Sequence, residues 1–491
     1  MATRKTQTAD AERAEPLPPL LFATSDRAEQ RVLAGLKRSG RIRRIGPRLY
    51  ASVPAAKVPA TVQGAWTTIV DRLFPDTVLS HRSAIELAPS PDGELFLTSS
   101  TNRDVTYPGL RLRFVRGPAA LEDDTKLLHF RASSLARALL ENLSTRHRDD
   151  RALPVAKLEE RLEKVLHVDG DAGLNQLRDR AREIADELGW RAQFGRLDQL
   201  VGTFLGTRRA PMKSAIGLAR VAGEPFDASC LGRLQLLFAA LREPVPDLAD
   251  PYSSADHFTN KAFFDAYFSN YIEGTTFEIE EAEAIVFERK IPRERPKDAH
   301  DIAGTFEIVG DPSGMRRVAA DFETFLHLLQ GRHAVMMAQR PEVQPGVFKH
   351  VPNRAGETRF VHPDYVLGTL RKGFELYRDL DPGIARALFM MFLVADVHPF
   401  IDGNGRSARI MMNAELVSAG KSTIIIPTVY RDDYLLALRA LTRRHRPRPL
   451  VDMATKAQGF STMSFASYPA ALAELQRRNW FADPDEARII D

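Results

Sequence analysis

Twelve residues, His398 to Arg409, combine side-chain types that suit a phosphate-bearing ligand, and they read HPFIDGNGRSAR. Gly403 and Gly405 let the backbone approach a ligand closely. A helix that begins near Gly405 directs its free N–H groups into the loop, where such groups bind anions. Arg406 and Arg409 then lie on one face near the helix N-terminus, which disfavours cations unless an anion is bound beside them. The run therefore predicts a polyphosphate site.

Two further side chains of the run supply groups that chemistry on a polyphosphate needs. Mg²⁺ is usually held by one or two carboxylates together with phosphate oxygens, so Asp402 is the expected metal ligand. His398, at the edge of the phosphate site, is the expected general base. The alternative is a capped turn between two helices whose arginines face solvent. The number of special residue types within one turn favours the reactive site.

The elements around this run are predicted to form a helical bundle. The apolar residues PGIARALFMMFLVAD before the run indicate a buried helix, and Phe400 is expected to anchor the loop in the core. From Ser253 onward the apolar spacing is almost entirely that of helices, which indicates a bundle. The predicted helices are Phe258–Ile272, Ile279–Arg289, Met315–Gln339, Pro363–Asp379, Pro382–Asp396, Gly405–Ser418 and Asp432–Arg443.

The run also fills every fixed position of a family motif, His-x-Phe-x-Asp/Glu-Gly-Asn-Gly-Arg-x-x-Arg. Residues 253–460 therefore resemble the Fic family. The resemblance implies an all-α fold and transfer of AMP from ATP to a protein hydroxyl, with release of pyrophosphate. It implies that His398 deprotonates the attacking Ser, Thr or Tyr hydroxyl, and that Asp402 binds the Mg²⁺ that bridges the α- and β-phosphates. Fic proteins also often self-associate, which implies a homodimer as one option.

The resemblance assigns the phosphate groups of ATP to residues of the loop and of the following helix. Asn404 and the loop amides of Gly403 and Gly405 hold the α- and β-phosphate oxygens, assisted by Arg406. Arg409 holds the γ-phosphate. The Gly-Asn-Gly-Arg run is intact, which favours ATP as the donor over the other phosphate donors that altered members use.

The upstream stretch SNYIEG places Ser269 and Glu273 on one helical face and ends that helix at Gly274. Taken alone, this pattern favours a surface glutamate followed by a capping glycine. With the Fic motif downstream, it resembles the family's inhibitory helix. This implies that Glu273 pairs with Arg409 and displaces the γ-phosphate of ATP. The sequence leaves open whether Glu273 is only a brake or also orients a water that removes AMP.

Two further segments resemble substrate-binding parts of Fic proteins. The extended run ETRFV resembles the flap that pairs with the target backbone, which implies target contacts from Thr358, Arg359, Phe360 and Val361; the alternative is an ordinary hairpin. The run VYRDDYLLALRAL resembles the helix that closes the adenine pocket. Tyr434 matches an aromatic residue of that pocket, or else is a core aromatic. Thr442 stands where some members have a base-contacting Asn.

The N-terminal region contains a basic segment, with eight basic and two acidic residues from Asp26 to Tyr50. A helix over Arg27–Arg38 leads into a predicted hairpin around Gly46-Pro47, which is the ending of a winged-helix module. Together with VLSHRSAIEL and SSLARALLENL, the hairpin resembles AbiEi-type antitoxin regulators, over residues 20–205. DNA-backbone contacts are implied, and the alternative is a solvated surface. The implied contact residues are Arg41, Arg43, Arg44 and Arg48.

Length and composition set the outer limits. A chain of 491 residues with a net charge of +4 is expected to hold several domains. No apolar run of about 18 residues occurs, so we expect no membrane contact. Cys230 is the only cysteine, which excludes an internal disulfide and favours a reducing cytoplasm. The polar N-terminus lacks the apolar segment of a secretory signal and is expected to be a disordered leader.

The predicted fold is mainly α, with a C-terminal all-α Fic fold preceded by a winged-helix and a mixed α/β region. The predicted function is that of an autoinhibited protein adenylyltransferase that uses ATP and Mg²⁺ and acts on another protein or on itself. The alternative is a DNA-binding regulator whose Fic domain is a sensor or is inactive. The predicted segments are a leader (1–20), a winged helix (21–55), an α/β and then helical AbiEi-like region (56–205), a helical linker (206–252), the Fic domain (253–460) and a helical tail (461–491).

Overall fold

The computed structural model describes residues 16–144 and 150–490, and the chain divides into two compact units, Met1–Val221 and Ala222–Asp491. The chain is mainly α-helical, as predicted. Most of the predicted leader, residues 1–15, lies outside the described residues. Among the residues described, no helix is both long and apolar enough to cross a membrane. The finer division into six segments stays a prediction.

The first unit begins with a small antiparallel sheet of order β1-β3-β2 beside one helix. The helix begins after Asp26, whose carboxylate accepts a hydrogen bond from the Ala28 N–H at 2.6 Å. Two expectations need correction. Leu20, assigned to the leader, already belongs to a strand. Described residues 16–55 contain one α-helix and not the helix pair of a helix-turn-helix. The elements are β1 (Leu20–Phe22), α1 (Arg27–Arg38), β2 (Arg43–Gly46) and β3 (Leu49–Ala51).

The remainder of this unit is a mixed six-stranded sheet of order β6-β7-β5-β4-β9-β8, followed by helices. Leu110, Leu112 and Phe114 of one central strand are buried and alternate with arginines, as a sheet with one covered face requires. The elements are α2 (Val58–Gly64), α3 (Trp66–Leu73), β4 (Val78–Leu79), α4 (His81–Glu86), β5 (Glu94–Ser99), β6 (Arg103–Tyr107), β7 (Leu110–Arg116), β8 (Thr125–Leu127), β9 (Phe130–Ala132), α5 (Leu135–Asn142), α6 (Val155–Leu188), α7 (Arg191–Phe204) and α8 (Ala215–Val221).

The second unit is a helical bundle with one two-stranded hairpin. Its most buried helix is α16, in which twelve of the fourteen residues are buried. The elements are α9 (Ala228–Leu241), α10 (Ala255–Ile272), α11 (Ile279–Phe287), α12 (Pro296–Val309), α13 (Pro312–Met315), α14 (Phe322–Met336), β10 (Arg354–Ala355), β11 (Thr358–Arg359), α15 (Val366–Arg378), α16 (Ile384–Val397), α17 (Asn404–Ser418), α18 (Arg431–Arg444), α19 (Arg448–Ser461) and α20 (Tyr468–Arg477).

The larger part of the segment predicted as a linker, from residue 222 onward, and the segment predicted as a tail are parts of this bundle. Within 206–252, α9 packs Cys230, Leu234 and Leu237 into the main core. Beyond residue 461, Leu475 and Trp480 are fully buried against the aromatic residues of α10. Both segments carry enough large apolar side chains to bury one face, and this burial fixes them in the fold.

The predicted long helix over Met315–Gln339 is broken. A short helix ends at Met315, and α14 begins only after Asp321, whose carboxylate caps it by accepting from the Thr324 N–H at 2.8 Å. An aspartate that bonds to the N–H three residues later marks a helix start. A further helix that was not predicted is α12, which begins with Pro296 at its first position.

Candidate functional site

The loop between α16 and α17 turns His398 out of the helix that precedes it. His398 has the left-handed backbone conformation (φ 54°, ψ 58°), and its N–H still donates to the Val394 carbonyl at 2.9 Å. This conformation costs a non-glycine residue about 1–2 kcal/mol. Such residues cluster at functional sites. The turn places the imidazole in the wall of a cavity.

The imidazole of His398 is arranged as a proton acceptor. Its Nδ1 lies 3.2 Å from the Ala395 carbonyl oxygen, which assigns the ring proton to Nδ1 and the lone pair to Nε2. The ring stacks on Phe360, with 3.6 Å between the ring centroids. Burial lowers the pKa of His398 to about 4, so the ring is neutral at pH 7. A bound polyphosphate would raise this pKa, because negative charge favours the imidazolium.

A second histidine, His333 of α14, contacts both the backbone and the buried aromatic side chain of the loop. Its Nε2 lies 3.0 Å from the Asp402 carbonyl oxygen, and its Nδ1 accepts from the Gly346 N–H at 2.8 Å. The ring stacks on Phe400 at 3.6 Å. Phe400 is fully buried, as the predicted anchor of the loop. Together these contacts fix the backbone on which Asp402 and Gly403 sit.

The burial of His333 predicts a dependence of stability on pH. Burial lowers its pKa to about 4, whereas an unfolded histidine titrates near 6.5. The unfolded state therefore binds the extra proton as the pH falls below about 6.5, and stability is lost. We expect His333 to contribute about 2 kcal/mol to the loss of unfolding free energy between about pH 7 and pH 5. Urea unfolding at the two pH values checks this. In His333→Gln the difference should shrink by that amount, and an unchanged difference contradicts the assignment.

Asn404 fastens the loop instead of reaching outward. Its Oδ1 accepts from the Phe400 N–H at 2.8 Å, and its Nδ2 donates to the Phe400 carbonyl at 2.9 Å. The side chain is only 2% exposed. Both polar ends of the amide are used within the loop, and its predicted phosphate contact stays a prediction.

The Arg406 guanidinium is also bound within the protein. Its Nη1 donates to Asp301 Oδ2 at 2.7 Å and to Asn270 Oδ1 at 3.2 Å, inside the protein. Asp301 also accepts from Arg340 Nε at 2.9 Å, so one carboxylate joins two arginines. Arg406 is not among the residues that line the cavity. It joins α17 to α10 and α12, and its predicted assistance to phosphate binding stays a prediction.

Of the two arginines of the run, Arg409 lines the cavity, and the upstream SNYIEG segment binds its guanidinium. Its Nε donates to Ser269 Oγ at 2.9 Å, and its Nη2 donates to the Ser269 carbonyl at 2.8 Å and to Glu273 Oε1 at 2.7 Å. Its Nη1 lies 3.4 Å from the Tyr434 hydroxyl. Gly274, with φ 93°, ends α10 directly after Glu273.

The Glu273 carboxylate also touches the first turn of α17. A Cβ atom built on Gly405 would lie 2.1 Å from Glu273 Oε1, so no residue but glycine leaves room for this contact. The carboxylate therefore lies at a helix N-terminus and beside a buried arginine, the two elements of an anion site. Glu273 fills the position that the sequence assigns to a phosphate.

These groups meet in a cavity of about 360 Å³. This volume is within the range of small-molecule sites. The prediction and the structure agree on seven of the described residues that line it, which are Glu273, Thr358, Phe360, His398, Gly405, Arg409 and Tyr434. The described residues that were predicted for this site but do not line the cavity are Ser269, Gly274, Arg359, Val361, Asp402, Gly403, Asn404 and Arg406.

The Fic/DOC family matches residues 324–416. The range includes α15, α16 and the whole run from His398 to Arg409. The match covers the loop and the helices on either side of it.

Curated relatives and a solved structure are similar to a larger part of the chain. Protein adenylyltransferase fic-1 from Caenorhabditis elegans is 24% identical over 212 residues, which are 40% of this chain and 41% of that protein. Protein adenylyltransferase Fic from Drosophila persimilis is 26% identical over 237 residues, 45% and 44% of the two chains. The chain thus spans less than half the length of these relatives. The solved structure of Fic-1 from C. elegans is 18% identical, with 65% of this chain and 98% of that chain covered and a TM-score of 0.37.

Asp402, in the loop between α16 and α17, is exposed, and its Oδ1 accepts from the Gly403 N–H at 2.7 Å. In the described part of the chain, no group of three or more His, Cys, Asp or Glu side chains could hold a metal by itself. A single exposed carboxylate nevertheless fits Mg²⁺, which takes its other ligands from phosphates and water. The donor set therefore fits a metal that arrives with a nucleotide.

The predicted flap is the hairpin β10–β11 of the second unit, which pairs Arg354 with Arg359. Arg443 of α18 donates to Thr358 Oγ1 from Nη2 at 2.9 Å and holds the hairpin at the cavity mouth. Arg359 is exposed. Val361 is only 1% exposed and packs in the core, so its side chain is not available to a target.

The four arginines predicted to contact DNA are exposed on or next to the hairpin β2–β3 of the first unit. Arg44 Nε lies 3.3 Å from the Gly46 carbonyl oxygen, and Arg48 Nε lies 3.1 Å from that of Ala23. Arg41 and Arg43 complete the set. The resemblance of this region to AbiEi-type regulators stays a prediction.

Several residues that shape the site were missed by the sequence analysis. Asn270 lies inside the SNYIEG segment, between the two residues that were singled out. Asp301 and His333 come from helices with no motif of their own. Lys349 is 3% exposed and donates from Nζ to the Val397 carbonyl at 3.3 Å, and Asn353 donates to the Phe400 carbonyl at 2.9 Å. Only Asn270 had a local signal that a reader of the sequence could have used.

Proposed function

We propose that this chain is an autoinhibited protein adenylyltransferase. It transfers AMP from ATP to a Ser, Thr or Tyr hydroxyl of a protein and releases pyrophosphate. The observation that carries the proposal is the position of Glu273. Its carboxylate lies at the N-terminus of α17 and 2.7 Å from Arg409 Nη2, in the cavity that His398 lines. An anion site beside a neutral imidazole suits nucleotidyl transfer.

The proposed reaction forms one bond to phosphorus, breaks another and moves one proton. The target hydroxyl oxygen attacks the α-phosphorus, its proton passes to His398 Nε2, and the bond to the β-phosphate oxygen breaks so that pyrophosphate leaves. The N–H groups at the start of α17 and the Arg409 guanidinium hold the phosphate chain. Asp402 would hold Mg²⁺, which neutralises phosphate charge when it is bound. Positioning supplies most of the catalysis in reactions of this kind.

Autoinhibition follows from competition for one guanidinium. While Glu273 accepts from Arg409, the γ-phosphate of ATP cannot take that place, and the α-phosphate loses its in-line alignment with the hydroxyl. The same carboxylate has a second option, which is to orient a water for removal of AMP. Incubation of an AMP-modified protein with the wild-type chain and with Glu273→Gly separates the two roles. If Glu273 orients a water, the wild-type chain should remove AMP and the variant should not, whereas neither should remove AMP if Glu273 only inhibits.

The flap hairpin is the proposed docking place of the target. Its short strand edge would pair with target backbone, which leaves the target sequence little constrained. The target is another protein or this chain itself. A cytoplasmic location and a homodimer are part of the proposal, and the single buried cysteine, Cys230, agrees with a reducing compartment.

The proposal is tested by mass spectrometry of proteins modified by the Glu273→Gly chain with ATP and Mg²⁺. We expect AMP adducts on Ser, Thr or Tyr residues, either of lysate proteins or of the chain itself. The variant that combines Glu273→Gly with His398→Ala should give none. Equal adducts from both variants would contradict the assigned base, and no adduct from either would contradict the function.

A second function, DNA binding by the first unit, is favoured by the four exposed arginines of the basic hairpin segment. We expect a gel shift with duplex DNA that weakens steeply with salt, because phosphate contacts release counterions. Replacing Arg43 and Arg44 by Ala should weaken binding about tenfold. The matched control is the exposed pair Arg289 and Arg293 of the other unit, replaced in the same way. Equal losses from both pairs would show a nonspecific charge effect and remove this second function.

A further inference from the structure

The segment that leads into the flap hairpin is bonded to the backbone on both sides of His398. The Lys349 N–H donates to the Pro399 carbonyl at 2.8 Å, and Lys349 Nζ donates to the Val397 carbonyl at 3.3 Å. Pro399 and Val397 are the two neighbours of His398 in the chain. One lysine therefore holds both ends of the left-handed turn that directs the imidazole to the cavity wall.

Asn353 extends this connection to the aromatic ring that covers the imidazole. Its Oδ1 accepts from Lys349 Nζ at 2.7 Å, and its Nδ2 donates to the Phe400 carbonyl at 2.9 Å. Its backbone carbonyl accepts from the Phe360 N–H at 3.3 Å, and the Phe360 ring stacks on His398. The loop that carries His398 and the flap are therefore joined through Lys349 and Asn353.

Lys349 also places a buried positive charge near the imidazole. Its side chain is 3% exposed and does not line the cavity. Burial lowers the pKa of Lys349 to about 8, so most of the ammonium is still charged at pH 7. Among the charged groups that face His398, Lys349 disfavours protonation of the ring, whereas Glu273 and Asp402 favour it. A bound polyphosphate would also favour the imidazolium, and the ammonium of Lys349 opposes this effect.

We propose that Lys349 is a positioning residue for the general base, which holds the turn at His398 and keeps the imidazole unprotonated when phosphates lie beside it. This inference rests on the proposed use of ATP. Hydrogen bonds from a charged donor are stronger than neutral ones, so the bonds of the ammonium offset the strain of the left-handed turn. Lys349 acts through His398, because it does not line the cavity in which the nucleotide would bind.

The first test replaces Lys349 by Met in the full-length Glu273→Gly chain, which removes the ammonium at similar side-chain length. The backbone bond to Pro399 remains. We expect kcat for AMP transfer to fall about tenfold, because a slightly misplaced base loses much of its effect. The KM for ATP should change by less than about twofold, because the contacts to the phosphates are unaltered.

The second test follows the titration of the His398 ring by NMR in the chain with the native Glu273. Isotope-labelled histidine supplies the signals, and His398→Ala assigns the one that belongs to His398. In Lys349→Met the midpoint should lie at least about half a pH unit higher than in the parent, because a nearby positive charge has been removed. A purely structural role of Lys349 would not require this shift.

Asn353→Ala separates the hydrogen bonds from the charge. This variant removes the bond to the Phe400 carbonyl and keeps the ammonium of Lys349. It should lower kcat and leave the titration midpoint of His398 at the parental pH. A midpoint that rises in Asn353→Ala as much as in Lys349→Met would overturn the role of the charge.

The matched control is Lys261→Met in α10. Lys261 is a second buried lysine of the same unit, 4% exposed, whose Nζ donates to Asp250 Oδ2 and to Ser422 Oγ, both at 2.8 Å. Its replacement should leave kcat and the titration of His398 at the parental values. Either an unchanged kcat or an unchanged titration in Lys349→Met would overturn this inference and leave the proposed function intact. Equal losses from both lysine variants would also overturn it. If the Glu273→Gly parent transfers no AMP, the proposed function fails, and this inference fails with it.

Discussion

Replacing Glu273 by Gly should raise AMP transfer by about a hundredfold, the scale on which a small misplacement of a reacting group acts. In the wild-type chain the carboxylate lies 2.7 Å from Arg409 Nη2 and against Gly405. Its removal frees the guanidinium and the helix N-terminus for the γ-phosphate. Glu273 is the last residue before Gly274, outside the helix interior, so the substitution should leave α10 in place. Transfer is measured with labelled ATP and Mg²⁺.

The matched control for this substitution is Glu288→Gly. Glu288 follows α11 as Glu273 follows α10, and both are glutamates at the C-terminal cap of a helix. Glu288 pairs with Lys290 and does not line the cavity. Its replacement should leave transfer at the wild-type level. Equal labelling by wild type and Glu273→Gly would remove the autoinhibition hypothesis, and equal activation by both glycine variants would attribute it to general loosening.

Replacing His398 by Ala in the Glu273→Gly chain should lower transfer at least about a hundredfold, the usual contribution of a general base. The hydroxyl proton would then have no acceptor in the position that Nε2 takes. Because burial lowers the pKa of His398 to about 4, the base is already unprotonated at neutral pH. The value of kcat/KM, which reports the free enzyme, should therefore stay flat from about pH 6 to pH 8.

A second histidine of the chain, His445, provides the matched control for His398→Ala. His445 ends α18 in the same left-handed backbone conformation, with φ 55°, but its side chain is exposed. His445→Ala removes a histidine with the same backbone strain and should leave transfer unchanged. A loss of activity below about pH 6.5, as an unperturbed histidine would show, would contradict the described environment of His398. Full activity of His398→Ala would remove its role as base.

The part of the site that the sequence predicted is the part built by neighbouring residues. His398, Gly405 and Arg409 lie within one loop and one helical turn, so their relation depends on local geometry that spacing expresses. Glu273 is distant from Arg409 in the sequence, and spacing alone did not indicate that the two side chains meet. Their pairing could be predicted because the segment resembles the family's inhibitory helix. Local pattern and resemblance together were enough for these four residues.

The contacts that the sequence did not predict are made to distant partners or to the loop backbone. Arg406 shares a helix face with Arg409, but Asp301 of α12, 105 residues earlier in the chain, binds its guanidinium. Nothing near Arg406 in the sequence indicates that carboxylate. Likewise, Asn404 appears in the motif as a phosphate ligand, whereas here its amide bonds to the Phe400 backbone. Helix periodicity indicates on which face of a helix a residue lies, but it does not indicate which residues of other elements pack against that face.

The fold shows the same division between local and distant information. Helices with strong apolar stripes, such as α16, were predicted to within two residues. α9 was assigned to a linker and the segment around Trp480 to a tail. These assignments followed their positions along the chain, whereas their apolar side chains are buried in the core. In the N-terminal unit the hairpin was predicted correctly from its Gly-Pro turn, but the single helix beside it does not complete a winged helix in the described residues.

A crystal structure of the Glu273→Gly chain with ATP and Mg²⁺ tests the central claim most directly. We expect the triphosphate to lie across the first turn of α17, with the γ-phosphate on the Arg409 guanidinium and the α-phosphate beside His398 Nε2. A cavity without nucleotide, or a nucleotide whose phosphates lie away from Arg409, would contradict the account.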